Sequence, residues 1–186
     1  MKHLTVMLLA AGIMMLAACK EKKSADDGII TTNYEPPKPE APIAMPATND
    51  SKVVDWVDGR VYKVTVARTP ADSLTMVANG VGQQFIDNAV KLTILRSDGS
   101  VFYNHTFTKA AFAQYMDKDY RKNALLTDMR YLECRGTDMD FVVVFNYPDA
   151  IDDESLDLKL TVSSHGNISI EPFGENARED LFTDEK

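Results

Sequence analysis

Val90-Lys91-Leu92-Thr93-Ile94-Leu95-Arg96-Ser97-Asp98-Gly99-Ser100-Val101-Phe102-Tyr103-Asn104-His105-Thr106-Phe107 is the stretch that decides the fold class. Val90, Leu92 and Ile94 alternate with Lys91 and Thr93, the period-two pattern of a strand with one buried face. Ser97-Asp98-Gly99-Ser100 supplies turn chemistry, and a second run rich in aromatic and β-branched residues follows it. Two such runs around an Asp-Gly predict an antiparallel hairpin.

Upstream the same grammar repeats. Val53-Val54-Asp55-Trp56-Val57 holds the single tryptophan, with Asp58-Gly59 as a turn after it. Tyr62, Val64 and Val66 alternate with Lys63 and Thr65, and Thr69-Pro70-Ala71-Asp72 breaks that strand. Leu74-Thr75-Met76-Val77-Ala78 runs into Asn79-Gly80, residue types that supply positive φ in a tight turn. Downstream, Thr108 is placed to cap a helix whose Ala111, Phe112, Tyr115 and Met116 share a face, and the polar residues 117–123 are expected to end it. Strands resume at Met129-Arg130-Tyr131-Leu132-Glu133-Cys134. The unbroken apolar run Phe141-Val142-Val143-Val144-Phe145 predicts a strand buried on both faces. Leu156, Leu158, Leu160 and Val162 then alternate with polar residues, and His165-Gly166-Asn167 turns the chain into Ile168-Ser169-Ile170. Roughly eight or nine short strands with one short helix predict a mainly β domain, an antiparallel β-sandwich or partly open barrel, with a cystatin-like α+β sheet as the alternative.

Residues 1–18 have another character. Lys2 and His3 precede the apolar run from Leu4 to Met15, and Leu16-Ala17-Ala18-Cys19 closes it. A short positive head, an apolar middle and small residues at the end predict a signal peptide cleaved after Ala18. Counted from Leu4 to Ala18 the apolar run is about 15 residues, short of the roughly 20 that span a bilayer. Leu16-Ala17-Ala18-Cys19 resembles the lipobox of bacterial lipoproteins, which implies lipidation of the Cys19 thiol. Residues 19–50 include Glu35-Pro36-Pro37-Lys38-Pro39-Glu40-Ala41-Pro42, dense in prolines that fix φ and lack a donor, and read as an extended tether. Some 30 residues at roughly 3.1 Å each reach about 100 Å. Residues 51–174 form the expected β-rich domain, and residues 175–186 an acidic tail.

The chain has 186 residues, of which 45% are apolar, enough for one domain with a real core. Without Lys2 the 20 Lys and Arg become 19, against 28 acids, a formal charge of −9. That balance argues against nucleic acid and against lying flat on an anionic membrane. Of the two cysteines, lipidation of Cys19 leaves Cys134 alone, a packed small hydrophobe rather than a nucleophile. His105 and His165 are the imidazoles beyond the signal, and neither has a partner motif around it. His-Glu-x-x-His, Cys-x-x-Cys, Gly-x-Ser-x-Gly and phosphate-binding glycine loops are absent from the sequence. Asp149, Asp152, Asp153, Glu154 and Asp157, with Asp138 and Asp140, offer oxygens for calcium. No glycine lies between Pro148 and Ser164 to make the sharp turn such loops use, so a solvated acidic loop and no metal are expected.

The lipobox, the proline-rich tether, Ser97-Asp98-Gly99-Ser100, Phe107-Thr108-Lys109 with Phe112, and Leu156-Asp157-Leu158-Lys159-Leu160 together resemble uncharacterised lipoproteins of gut Bacteroidetes that contain a domain of unknown function. The likeness runs from Val61 to Pro172. It implies a lipid-anchored outer-membrane protein of the cell envelope and lends no catalytic residues or cofactors. Surface-exported members carry acids directly after the lipidated cysteine; here Lys20, Lys22 and Lys23 intervene, which implies the periplasmic face. Asp72-Ser73-Leu74 is similar to the O-glycosylation signal of that group, making Ser73 a candidate. The leading expectation is a non-enzymatic module that binds a protein or glycan or plays a structural role. A lipocalin-like carrier, with Tyr62, Tyr103, Phe107 and Tyr131 lining a cavity, and an envelope hydrolase are the alternatives.

Overall fold

Eleven strands run through residues 40–148 and 155–174, the part of the chain that the computed structural model describes. They are β1 (Ile43–Ala44), β2 (Thr48–Trp56), β3 (Arg60–Pro70), β4 (Val77–Ala78), β5 (Gln84–Ile86), β6 (Asn88–Arg96), β7 (Val101–Thr108), β8 (Leu125–Arg135), β9 (Asp138–Asn146), β10 (Ser155–Ser163) and β11 (Ile168–Pro172). One α-helix, α1 (Lys118–Asn123), and two 3-10 segments, Val57–Gly59 and Lys109–Tyr115, complete the elements. Two antiparallel four-stranded sheets, ordered β2-β3-β6-β7 and β11-β10-β9-β8, share one core. A small third sheet, β1-β5-β4, includes the parallel pair Ile43–Phe85. The architecture is therefore the antiparallel sandwich, without barrel closure among the described residues.

Side-chain period sets which face is buried. Val64, Val66, Val90, Leu92 and Ile94 from one sheet meet Met139, Phe141, Val143, Phe145, Leu158, Leu160 and Val162 from the other. The run Phe141 to Phe145 lies on β9, between β8 and β10. Its odd positions are fully buried in the core, and Val142 is buried on the opposite face between Lys159 and Arg130, its partners across the two ladders. A bulge in β7 leaves Phe102 outside the register between Ile94–Tyr103 and Leu95–Val101. Phe102 thereby reaches Trp56 and Tyr62, with ring centroids 5.3 and 5.7 Å away.

The hairpin at Ser97-Asp98-Gly99 forms as its residues dictate. The Gly99 amide donates to the Arg96 carbonyl, the Arg96 amide to the Ser100 carbonyl, and Gly99 sits at φ 82°. This is the three-residue loop that places glycine in the left-handed region. The loop after Ser163 repeats it, with Gly166 at φ 78° and the Ser163 amide donating to Asn167.

Four local expectations change. Ordered strand begins before residue 51, inside the stretch read as tether: Thr48, Asn49 and Asp50 pair with Arg68, Ala67 and Val66. Those residues carry no apolar period because β2 is an edge strand whose first six positions are exposed. The helix is displaced. Residues 109–115 form a 3-10 segment, and Thr108 makes no side-chain cap. The α-helix is instead the polar stretch 118–123, begun by Asp117, whose carboxylate accepts the Asp119 and Tyr120 amides at 2.8 Å each. Asn79-Gly80 supplies no positive φ; the Asn79 side chain accepts the Val81 and Gln83 amides, and Gly82 takes φ 88°. Of residues 74–78 only Val77 and Ala78 are strand.

The two lateral openings of the sandwich differ. The 3-10 segment Lys109–Tyr115 lies against β7 and β11 and sends Phe112, fully buried, into the core. At β2 and β8 no segment intervenes among the described residues, and Lys52 sits 4.8 Å above the Tyr131 ring.

Candidate functional site

Extrapolated along their strands, the two buried faces arrive at polar residues. Tyr62, Val64 and Val66 are followed on the same face by Arg68, and Ile94, Leu92 and Val90 are preceded by Asn88. Both side chains are buried, as is Asp87. A buried charge is costly unless it is paired and hydrogen-bonded. Here the partners come from the start of β8, from the 3-10 segment and from the chain before β2. The Asp87 carboxylate accepts the Leu126 and Asn88 amides at 2.9 and 2.8 Å and lies 3.2 Å from the Lys109 ammonium. Lys109 also donates to the Ala124 carbonyl. The Asn88 side-chain amide donates to the Leu126 carbonyl at 2.9 Å. The Arg68 guanidinium donates to the carbonyls of Thr127, at 2.6 Å, and Pro46, at 2.8 Å. Four polar side chains thus tie the start of β8 and the chain before β2 to one end of the other sheet.

A groove of about 360 Å³ opens over this cluster. Its walls are Leu74–Val77 on one side and the 3-10 segment with α1 on the other, and Asp87 and Lys109 lie at its base. Ala110, Ala113, Leu74 and Met76 make most of the surface apolar, while Arg121 and Lys122 place two cations on the α1 side. Arg121 is held by its Nε donating to the Met116 and Asp117 carbonyls, and Lys122 is exposed. Asp117 and Asp119 on the same helix are engaged elsewhere: Asp117 caps the helix, and Asp119 accepts from Asn123 and the Tyr147 hydroxyl. The groove therefore combines apolar walls with two cations on the α1 side, which suits an acidic ligand bearing an apolar group.

A second cleft, of about 460 Å³, marks the uncovered side between β2 and β8. Val64, Val66 and Met129 form its floor, and Asp50, Lys52, Arg130 and Tyr131 stand around it. The Tyr131 hydroxyl donates to Cys134 Sγ at 3.5 Å. Burial pushes the Tyr131 hydroxyl and the Cys134 thiol above their usual ranges, so neither is activated for nucleophilic chemistry.

The residues singled out by sequence are scattered. Ala18, Cys19 and the acidic residues 149–154 lie outside the described residues. Asp138, Asp140 and Asp157 stand on strands; Asp140 accepts the Thr161 hydroxyl and Asp157 the Ser155 hydroxyl, each at 2.6 Å. No three metal-ligating side chains converge among the described residues. Ser73 is exposed on a turn. His105 is exposed on β7 with its ring 4.6 Å from that of Phe107, and His165 is exposed in the β10–β11 turn, so the two belong to different sheets. Tyr62, Tyr103, Phe107 and Tyr131 do not enclose a common cavity. Tyr62 packs on Trp56, Phe107 on Phe112 and Tyr131 on Phe141. The Asp87–Lys109 pair escaped the sequence reading. The signal for its surroundings was the strand period itself, which put Arg68 and Asn88 at core positions.

No curated protein matches this chain. A family described as a domain of unknown function, DUF4738, matches residues 29–170, a span that takes in ten of the eleven strands whole together with both grooves. With most of its length covered by that match, the chain belongs to the DUF4738 family.

Proposed function

We propose that the protein is a lipid-anchored lipoprotein of the cell envelope, held at the periplasmic face of the outer membrane, whose sandwich is a binding or structural module and not an enzyme. The observation that carries this reading is Leu16-Ala17-Ala18-Cys19 at the end of a short apolar run, separated from the first strand at Ile43 by a proline-rich stretch. A diacylated cysteine gains about 0.8 kcal/mol per buried methylene, and two chains give stable anchoring. The fold supports a binding role because its buried charges join the two sheets while its grooves are lined by apolar and cationic side chains. Cys19→Ala tests the anchor: palmitate labelling is lost and the precursor stays uncleaved at Ala18. Unchanged labelling, or processing insensitive to globomycin, overturns it. His105→Ala with His165→Ala tests the non-enzymatic reading, since turnover of ester, peptide or glycoside probes abolished by the pair would mark a hydrolase.

The cleft between β2 and β8 favours a second reading, a small-ligand carrier, because its floor is formed by core side chains. Saturable binding of an apolar fluorescent dye, lost in Met129→Glu with the fold intact, is the measurement for it.

A further inference from the structure

The cationic groove has a matching segment in the same chain. Residues 179–185 read Glu179-Asp180-Leu181-Phe182-Thr183-Asp184-Glu185, an apolar pair bracketed by four carboxylates. We propose that this segment docks in cis into the groove between Leu74–Val77 and α1, with Leu181 and Phe182 over Ala110 and Ala113 and its acids against Arg121 and Lys122.

Three observations carry the assignment. The first is charge. Asp87 is paired with Lys109, and Arg121 and Lys122 are the remaining charged residues that line the groove, so its rim is positive. The second is where the chain goes. The Phe173 amide donates to the Asp157 carbonyl, and Asp157 lies across from Val144 on β9. Three residues beyond Val144, the Tyr147 ring stacks 4.8 Å from Tyr120 on α1, and its hydroxyl donates to Asp119. The chain therefore leaves β11 at the end of the sandwich that carries α1 and the groove. The third is reach. The eight residues 175–182 extend up to about 26 Å at roughly 3.3 Å each. A tether this short gives a local concentration of order millimolar, so even a weak contact is populated. This contact is independent of lipid anchoring and of the module's external partner.

Thermolysin cutting at Leu181 and Phe182 in the full chain measures docking, with protection defined as the cleavage rate of a synthetic peptide of residues 175–186 divided by the rate in the protein. Protection of about tenfold is expected in the wild type. It falls to about one in Lys122→Glu and in Asp184→Lys, each compared with its own peptide, and returns when the two reversals are combined. Asp184→Lys touches only the tail, so its effect does not depend on the stability of α1. Wild-type protection near one, or protection indifferent to Lys122→Glu, overturns the proposal. Protection that rises with protein concentration overturns the cis arrangement in favour of exchange between two copies.

Discussion

The Asp87 carboxylate accepts the Leu126 backbone amide at 2.9 Å while its other oxygen lies 3.2 Å from Lys109, so one side chain from the edge of β6 fixes both the first residues of β8 and the 3-10 segment between the sheets. Asp87→Ala leaves Lys109 without its carboxylate and two amides without their acceptor. Removing one member of a buried pair costs about 3–5 kcal/mol. Asp87→Asn keeps an acceptor for the amides and loses the charge pairing, so it falls between wild type and Asp87→Ala. Lys109→Met in the Asp87→Asn background recovers part of the loss, because no unpaired ammonium is then buried. Urea melts of the four proteins check this order, and a double variant less stable than Asp87→Asn contradicts it.

Leu158 and Lys159 face opposite ways on β10. Leu158 is fully buried opposite Val143, and Lys159 lies on the outer face beside Glu171. Leu158→Ala is expected to cost about 2–5 kcal/mol. Lys159→Ala costs roughly 0.5 kcal/mol or less, because the Glu171 carboxylate is largely exposed. The hydrogen bond from Lys159 to Glu171 is the main cause that raises the lysine above its ordinary value of 10.5. The pair's contribution is accordingly full below that value and lost as pH rises through the raised one. Equal losses for the two substitutions would mean that the register is displaced by one residue.

The parts legible in the sequence were those governed by side-chain period. Val90 to Ile94, Tyr62 to Val66 and Leu156 to Val162 fell on the faces their alternation predicted, because burying one face leaves no freedom of register. Edge strands lacked that constraint. Thr48 to Asp50 carry no apolar alternation, and their pairing with β3 rests on the ladder and on Arg68 reaching back to Pro46. The helix is displaced because Phe112 and Met116, spaced for an α-helix, are buried from a 3-10 segment and the turn after it, while Asp117, where the polar stretch is expected to end a helix, instead caps one. The candidate site was hidden for a different reason. Asp87, Lys109, Arg121 and Lys122 come from a strand edge, a 3-10 segment and a helix, and only tertiary packing brings them to one groove.

The glycines separate turn geometry from composition. Gly99 and Gly166 have φ of 82° and 78°, and an added Cβ at either meets no atom within 4 Å. The cost of alanine there is backbone strain alone, about 1–2 kcal/mol. Gly80 has the same open surroundings without positive φ. Gly80→Ala is therefore expected to be neutral or to stabilise by up to about 1 kcal/mol through the unfolded chain. Thermal melts of the three variants test this; a loss at Gly80 equal to that at Gly99 would place the left-handed residue of the β4–β5 loop at Gly80 instead of Gly82.

Cys134 gives a prediction for alkaline pH. Burial is the largest cause that raises its thiol above the ordinary 9.0, the nearby Asp140 and Glu133 charges add to it, and the bond from Tyr131 opposes them. The folded state thus prefers the neutral thiol. That preference contributes its full stability below pH 9.0, where the unfolded thiol is also neutral, and is lost as pH rises through the higher folded value. Thiolate is the reactive form, so a chromogenic disulfide should label folded Cys134 at pH 8 at least about tenfold more slowly than the urea-unfolded chain. Tyr131→Phe removes the hydroxyl that donates to Sγ and leaves the burial in place, which moves the pH at half-maximal reactivity further up. A midpoint at or below 9.0 in the wild type, or one that falls in Tyr131→Phe, would mean that the thiolate and not the thiol is the form this end of β8 stabilises.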